Sequence, residues 1–122
     1  MVRLFTKDHE WIDFNDNIAT IGITEHAVAQ LGDVVFVEQP EVGANFSKGD
    51  ACAVVESTKA ASDVYAPLSG KIVDINSAIV ADPALVNQSS DNEAWFFKIE
   101  CINKSESDDF MDETAYKAFI NG

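Results

Sequence analysis

The stretch VVESTKAASDVYAPLSG, residues 54–70, decides the fold because it reads as two short strands that turn back on each other near Lys59. Small and β-branched residues, typical of strands, lie on both sides of the turn. Thr58 and Lys59 at the apex are not glycine, asparagine or aspartate, which disfavours turns that need a positive φ and favours a type I turn. We expect such a turn to project Lys59 into solvent.

The strand pattern continues on both sides of this hairpin. Upstream, HEWIDF and IATIGI flank the polar break 15–17 and predict another hairpin. From residue 33 onward, turn signals separate short runs of strand composition, which are VVFVEQ, ACAVVES, ASDVYA, GKIVDI and AWFFKIEC. Many short strands at regular spacing predict a mainly β sandwich or barrel.

Helices are predicted at only a few places. Thr24 is a candidate N-cap, residues 25–31 have helical apolar spacing, and Gly32 is a stop signal, so a short helix is expected there and no other before the tail. Asp82-Pro83 predicts an N-cap and one turn at most. The tail SESDDFMDETAYKAFING predicts a C-terminal helix whose apolar face packs on the sheets and comprises Met111, Ala115, Ala118 and Phe119.

Length and charge bound the function. The 122 residues, 47% of them hydrophobic, predict one globular domain over residues 1–122. A formal charge of −13 repels phosphate backbones and anionic lipid heads, so nucleic acid and membrane surfaces are not expected partners. The start MVRLFTKDHEW carries charge before any apolar run develops, and the chain has no run near the roughly 20 apolar residues of a membrane span. We therefore expect neither a signal peptide nor a transmembrane helix.

The residues that usually carry enzyme chemistry are sparse. No dinucleotide, P-loop, HExxH, GxSxG or EF-hand pattern is present. His9 and His26 are the only histidines, too few for a three-histidine metal site, so no metal centre is predicted. Cys52 and Cys101 lie in apolar runs without a ligand-spaced partner, which predicts free thiols in a reducing compartment.

Lys59 is the candidate functional residue of the central hairpin, because its amine can react or be modified. A Schiff-base lysine must be neutral, and the nearby Glu56 and Asp63 favour the ammonium form instead. An amine that accepts an already activated acyl group needs access and presentation, which an exposed hairpin tip provides. From the residues alone, an acyl acceptor and an ordinary surface lysine both stay open.

The same stretch resembles the lipoyl-lysine hairpin of the glycine cleavage system H-protein family. The similarity extends through KDHEW, IATIGITEHAVAQLGDVVFVEQPEVG and FMDETAYKAF, which together cover nearly the whole chain. HEW, GIT, LGD and ESxKAxSD occurring in this order are very specific. The resemblance implies a barrel-sandwich hybrid of two small antiparallel sheets with short peripheral helices, including a C-terminal helix.

The resemblance also implies a cofactor. Lys59 matches the lysine that carries lipoate in amide linkage. Biotin-acceptor domains share the architecture but place methionines beside their lysine, whereas Thr58 and Ala60 flank this one, which favours lipoate. The chain would then be a carrier and not an enzyme.

The implied function is a cytoplasmic, monomeric shuttle of glycine cleavage. Glycine decarboxylase, the pyridoxal-phosphate P protein, would load an aminomethyl group on lipoyl-Lys59. The folate-dependent aminomethyltransferase, the T protein, would remove it, and dihydrolipoyl dehydrogenase, the flavoprotein L protein, would reoxidise the dithiol. Lipoyl-attaching enzymes are the further implied partners.

A cleft for the loaded arm is expected near HEW and the lysine hairpin. The matching positions are Glu10 and Asp63, with His9 as a third. A small cation on an apolar chain needs apolar walls and a carboxylate, because burying an unpaired cation is costly.

Two positions depart from the family pattern. Thr58 stands where valine is frequent, a swap of similar shape that we expect to leave the turn intact. The segment NQSSDNEAW, 87–95, lacks the proline and glycine that usually precede the tryptophan, which predicts a different loop. This departure keeps open a lipoyl-relay protein that donates or presents lipoate to other complexes. An unmodified copy that acts as a structural or regulatory binding module is a further alternative.

Overall fold

The strands of the molecule form two antiparallel sheets. The computed structural model describes residues 3–121. Its strands are β1 (Arg3–Phe5), β2 (Glu10–Asn15), β3 (Ile18–Ile23), β4 (Val34–Glu38), β5 (Asn45–Phe46), β6 (Ala51–Ser57), β7 (Ala61–Tyr65), β8 (Gly70–Ile75) and β9 (Phe97–Cys101). The larger sheet has the order β1-β2-β3-β9-β8-β5, and the smaller has the order β4-β6-β7. The predicted mainly β fold with two antiparallel sheets is confirmed.

The core lies between the inner faces of the two sheets. Side chains alternate along each strand, so every second residue of a half-buried strand points inward. In the lysine hairpin, Val55 and Val64 are almost fully buried, whereas Thr58 and Lys59 are exposed. The base of this hairpin is therefore anchored in the core, and its tip stands in water.

The first helix matches its prediction. Helix α1 (Glu25–Leu31) begins after Thr24, whose hydroxyl accepts a 3.3 Å hydrogen bond from the Ala27 amide, and it ends at Gly32 with φ 84°. The apolar residues of its inner face pack against the core. Both signals are local, which is why the sequence identified the helix and its bounds.

Two further helices correct the expectation of a single helix before the tail. Helix α2 (Ala78–Ala81) and helix α3 (Ala84–Ser89) lie on either side of Asp82 and Pro83. Asp82 ends α2 instead of capping α3, and Pro83 is the N-cap of α3. Each helix is too short for helical periodicity to show, and each is stabilised by one fully buried side chain, Ile79 or Val86.

The C-terminal helix is confirmed, but its predicted apolar face is wrong. A 3₁₀ helix covers Lys104–Ser107, Met111 forms a β-bridge with Phe5, and helix α4 covers Glu113–Asn121. The residue that α4 buries is Tyr116, whose ring stacks on Phe5 with centroids 4.6 Å apart. Ala115, Ala118 and Phe119 point to solvent. Tyr116 is thus buried in place of the predicted apolar face, because its hydroxyl finds hydrogen-bond partners in the interior.

The helices within residues 3–121 are all short, and the longest of them is Glu113–Asn121. No helix in this range is both long enough and apolar enough to serve as a membrane span.

Candidate functional site

The turn that presents Lys59 is closed by Ser57. The Ser57 amide donates a 2.7 Å hydrogen bond to the Ala60 carbonyl. The Ser57 hydroxyl accepts from the amides of Ala60, at 3.0 Å, and Lys59, at 3.2 Å. Positive φ values at non-glycine residues of the described chain occur only at His9 and Asp16, so the turn is not of a primed type. The Ser57 side chain therefore supplies the hydrogen bonds that close the turn, although its apex contains no glycine, asparagine or aspartate.

The tip of this hairpin rests on the chain that follows helix α1. The Thr58 amide donates to the Asp33 carbonyl at 3.1 Å. The Lys59 stem crosses Gly32, and a Cβ added at Gly32 would lie 3.1 Å from the Lys59 Cε. Lys59 is thus exposed at its amine and supported along its stem.

Gly32→Ala is expected to disturb this support. Gly32 has φ 84° and ψ −149°, a conformation essentially restricted to glycine, and the new methyl group would press on the Lys59 stem. We expect the free energy of unfolding to fall by about 1–3 kcal/mol. Denaturant unfolding measures this loss. Gly43→Ala is the matched control for the strain alone, since Gly43 also has a positive φ but open space around it; equal losses would contradict a specific clash with Lys59.

A cleft of about 290 Å³ opens beside the hairpin, at Ala60 and Ala61. Its polar lining includes His9, Glu10 and Asp63, the three residues that the family resemblance predicted to share a cleft. Its apolar walls are formed by side chains of β3, α1 and both hairpin strands, namely Ile23, Ala27, Leu31, Val55 and Val64. The cleft therefore combines apolar walls with carboxylates within a short chain distance of Lys59.

Glu10 lines the cleft and is only 2% exposed. Its Oε1 accepts a 3.0 Å hydrogen bond from the Thr6 hydroxyl, and its Oε2 accepts a 3.1 Å bond from the Tyr65 amide. Burial raises the pKa of this carboxyl to about 7, and the two hydrogen bonds oppose that rise. Near neutral pH, Glu10 is therefore divided between its neutral and charged forms.

Glu10→Gln is expected to remove a pH dependence of stability. Because the folded pKa lies above the ordinary value of 4.5, the folded protein binds more protons, and its stability falls as pH rises from about 4.5 through 7. Glutamine can accept from the Tyr65 amide with its oxygen and donate from its Nε2 to the Thr6 hydroxyl, and it never ionises. From pH 4.5 to pH 8, the free energy of unfolding of the parent should fall by about 3 kcal/mol relative to that of Glu10→Gln.

Denaturant unfolding at both pH values measures this difference. Glu38→Gln, at an exposed position, is the matched control for loss of one negative charge. Parallel pH profiles for the parent and Glu10→Gln would contradict the assignment.

His9 joins the cleft to the C-terminal helix. Its backbone is left-handed, with φ 66°, at the point where β2 begins. Its Nδ1 lies 2.8 Å from the Tyr116 hydroxyl, which also lies 2.8 Å from the Thr24 hydroxyl. Burial and the nearby His26 ring, whose centroid is 4.6 Å away, lower the pKa of His9. No local sequence pattern indicates the contacts among His9, Tyr116 and Thr24, because Tyr116 lies in a distant part of the chain.

Asp63 occupies the mouth of the cleft and is exposed. It lies on β7 opposite Val54, four residues beyond Lys59. The three carboxylates that line the cleft therefore differ in environment, since Glu10 is buried and Asp8 and Asp63 are exposed to solvent. Within the described residues 3–121, no group of three or more potential metal ligands is present.

Comparison with known proteins gives a consistent result. The family model described as "Glycine cleavage H-protein" matches residues 3–122. The glycine cleavage system H protein of Bradyrhizobium diazoefficiens is 55% identical over 115 residues, which cover 94% of either chain. That of Thermotoga maritima is 50% identical over 118 residues, covering 97% of this chain and 95% of the relative.

A solved structure agrees with these sequence matches. The crystal structure of a glycine cleavage system H protein from Mycobacterium marinum superimposes with a TM-score of 0.91 at 38% identity, covering 98% of this chain and 97% of that one. The match of fold, sequence and length leads to one conclusion: the chain belongs to the glycine cleavage H-protein family, whose members are lipoyl-carrying shuttle proteins and not enzymes.

Proposed function

We propose that Lys59 is the lipoyl attachment site and that the chain carries the aminomethyl group of glycine cleavage. The observation that carries this proposal is the placement of one exposed lysine at a tight turn whose next residues, Ala60 and Ala61, line the cleft. A group attached to Lys59 can reach both solvent and the cleft from the same point. When bound, lipoate would supply the reactive sulfur that accepts the cargo.

The residues of the cleft fit such a group. Its apolar walls suit an alkyl chain and a dithiolane ring, whereas a charged cofactor would find little to pair with along them. Glu10 and Asp63 can pair with a small cation. His9, which precedes Glu10 in the chain, lines the same cleft. We assign the chain's own role as shelter, in which the walls exclude water and Glu10 provides the buried negative charge.

The proposed partners follow from membership in the family. They are glycine decarboxylase, the aminomethyltransferase, dihydrolipoyl dehydrogenase and a lipoyl-attaching enzyme. The formal charge of −13 supports encounters with basic partner surfaces. We further propose a monomer with a single domain over residues 1–122 and a cytoplasmic location, which the free thiols Cys52 and Cys101 support.

Peptide mapping of the protein isolated from its native host tests the proposal. Lipoate is expected on Lys59 and on none of the other lysines, and reconstitution with glycine decarboxylase should load the lipoylated form. An unmodified Lys59 in lipoate-replete cells would favour a binding module instead. Lipoylation without loading by the decarboxylase would favour a lipoyl-relay protein.

A further inference from the structure

The side chain of Asn87 clamps the chain segment that supports the lysine hairpin. Asn87 lies on helix α3, more than fifty residues from that segment. Its Nδ2 donates a 2.8 Å hydrogen bond to the Gly32 carbonyl, and its Oδ1 accepts a 2.9 Å bond from the Val34 amide. One carboxamide thus holds both ends of residues 32–34, which we call the ledge.

Each residue of the ledge also contacts the hairpin. Gly32 lies beneath the Lys59 stem, and the Asp33 carbonyl accepts the hydrogen bond of the Thr58 amide. Val34 pairs with Ser57 at the end of the small sheet. The position of the hairpin tip therefore depends on the position of the ledge.

The ledge has little regular structure of its own to fix it. It joins the end of helix α1 to strand β4, and the register of β4 with β6 is irregular between Val34 and Phe36. Val34 is buried, so its amide needs a partner within the protein, and Asn87 supplies one. Without Asn87, a buried amide loses its partner and the ledge is expected to shift or loosen.

Helix α3 is itself well anchored. Val86 beside Asn87 is fully buried, and the Ser90 carbonyl after the helix accepts a 2.9 Å hydrogen bond from the Trp11 indole. The segment 87–95, which departs from the family pattern, thus begins with the residue that holds the ledge. The departure leaves this clamp in place.

We infer that Asn87 is a positioning residue for lipoyl attachment, because it fixes the ledge and thereby sets where the Lys59 amine is presented to the attaching enzyme. This inference rests on the proposed function of Lys59. In the attachment step the neutral amine attacks the carbonyl carbon of lipoyl-adenylate. An amide bond forms, the acyl–phosphate bond breaks, AMP leaves with the bonding electrons, and the amine gives a proton to solvent.

The experiment measures initial rates of attachment to the unmodified full-length protein by a lipoate ligase supplied with lipoate and ATP, over a range of acceptor concentrations. Asn87→Ala is expected to lower kcat/KM by about tenfold to a hundredfold, since small misplacements of a reacting group have effects of this size. Asn87→Asp keeps an acceptor for the Val34 amide but cannot donate to Gly32, so an intermediate loss is expected. Hydrogen exchange at the Thr58 amide should quicken in the same order.

Two controls separate positioning from general stability. Asn92→Ala removes an exposed asparagine of the same segment that makes no side-chain hydrogen bond within the described residues. Ile72→Val trims a fully buried residue of β8, which belongs to the large sheet and not to the small sheet that contains β4. Both should retain the parent kcat/KM at temperatures below their melting transitions.

The outcomes are distinguishable. A parent protein that accepts no lipoate overturns the proposed function and the inference with it. If the parent accepts lipoate and Asn87→Ala has the same kcat/KM, the positioning role of Asn87 is wrong and the proposed function of Lys59 stands. If Ile72→Val loses as much kcat/KM as Asn87→Ala, the effect is one of stability and the positioning role is wrong.

Discussion

Lys59→Arg is expected to fold like the parent and to lose lipoyl attachment and carrier activity completely. Arginine keeps the positive charge and most of the stem, but its guanidinium does not form the amide linkage. The exposed tip tolerates the change, because surface substitutions of this kind usually shift stability by less than about 0.5 kcal/mol. Intact mass after incubation with a lipoate ligase measures attachment, and thermal unfolding measures the fold.

Lys71→Arg is the matched control for this substitution. Lys71 is also exposed and lies on β8, away from the cleft. It should accept as much lipoate as the parent, all of it on Lys59. Residual attachment to Lys59→Arg would show that a second lysine is modified and would remove the basis of the proposed function.

Glu10→Ala is expected to speed the spontaneous release of ammonia from the loaded protein by about tenfold or more. The aminomethyl group is a small cation, and a hydrogen bond to a charged partner contributes about 1.5–3 kcal/mol, which corresponds to a factor of roughly 10–150 in occupancy of the cleft. Without Glu10, the cargo spends more time in water, where it breaks down. Ammonia release from purified loaded protein measures the rate.

Asp63→Ala should have a smaller effect, since an exposed ion pair contributes about 0–1 kcal/mol. The double variant should release ammonia at least as fast as Glu10→Ala.

Glu38→Ala, which removes an exposed carboxylate outside the cleft lining, controls for the change in net charge. Attachment to Lys59 and reoxidation should stay near the parent level in all of these variants. If neither single variant nor the double variant releases ammonia faster than the parent, the cargo is sheltered elsewhere.

The parts of the fold that could be predicted from the sequence are those with local signals. The hairpin around Lys59 and the helix between Thr24 and Gly32 are specified by residues within a few positions of each other. The grouping of Glu10 and Asp63 in one cleft has no local signal and came from the family resemblance, because the two residues lie far apart in the chain. Local sequence signals therefore predicted the lysine hairpin and its turn, and the family resemblance predicted the cleft beside it.

The features that were missed depend on contacts between distant parts of the chain. Helices α2 and α3 are stabilised by burying Ile79 and Val86 against the rest of the fold, and neither helix has a periodic pattern long enough to detect. The face of α4 was mispredicted because Tyr116 is buried through its bonds to His9 and Thr24. Asn87 gave no signal at all, because its partners are more than fifty residues away.

The contacts of Tyr116 have a further consequence, because they form a chain of hydrogen bonds that can run in two directions. In one direction Thr24 donates to Tyr116 and Tyr116 donates to the bare Nδ1 of neutral His9. In the other, the Nδ1–H of His9 donates to Tyr116 and Tyr116 donates to Thr24. A cationic His9 carries a proton on Nδ1 and permits only the second direction. Protonation of His9 therefore restricts this network to the second direction as far as the Thr24 hydroxyl that caps helix α1, and none of its hydrogen bonds is lost.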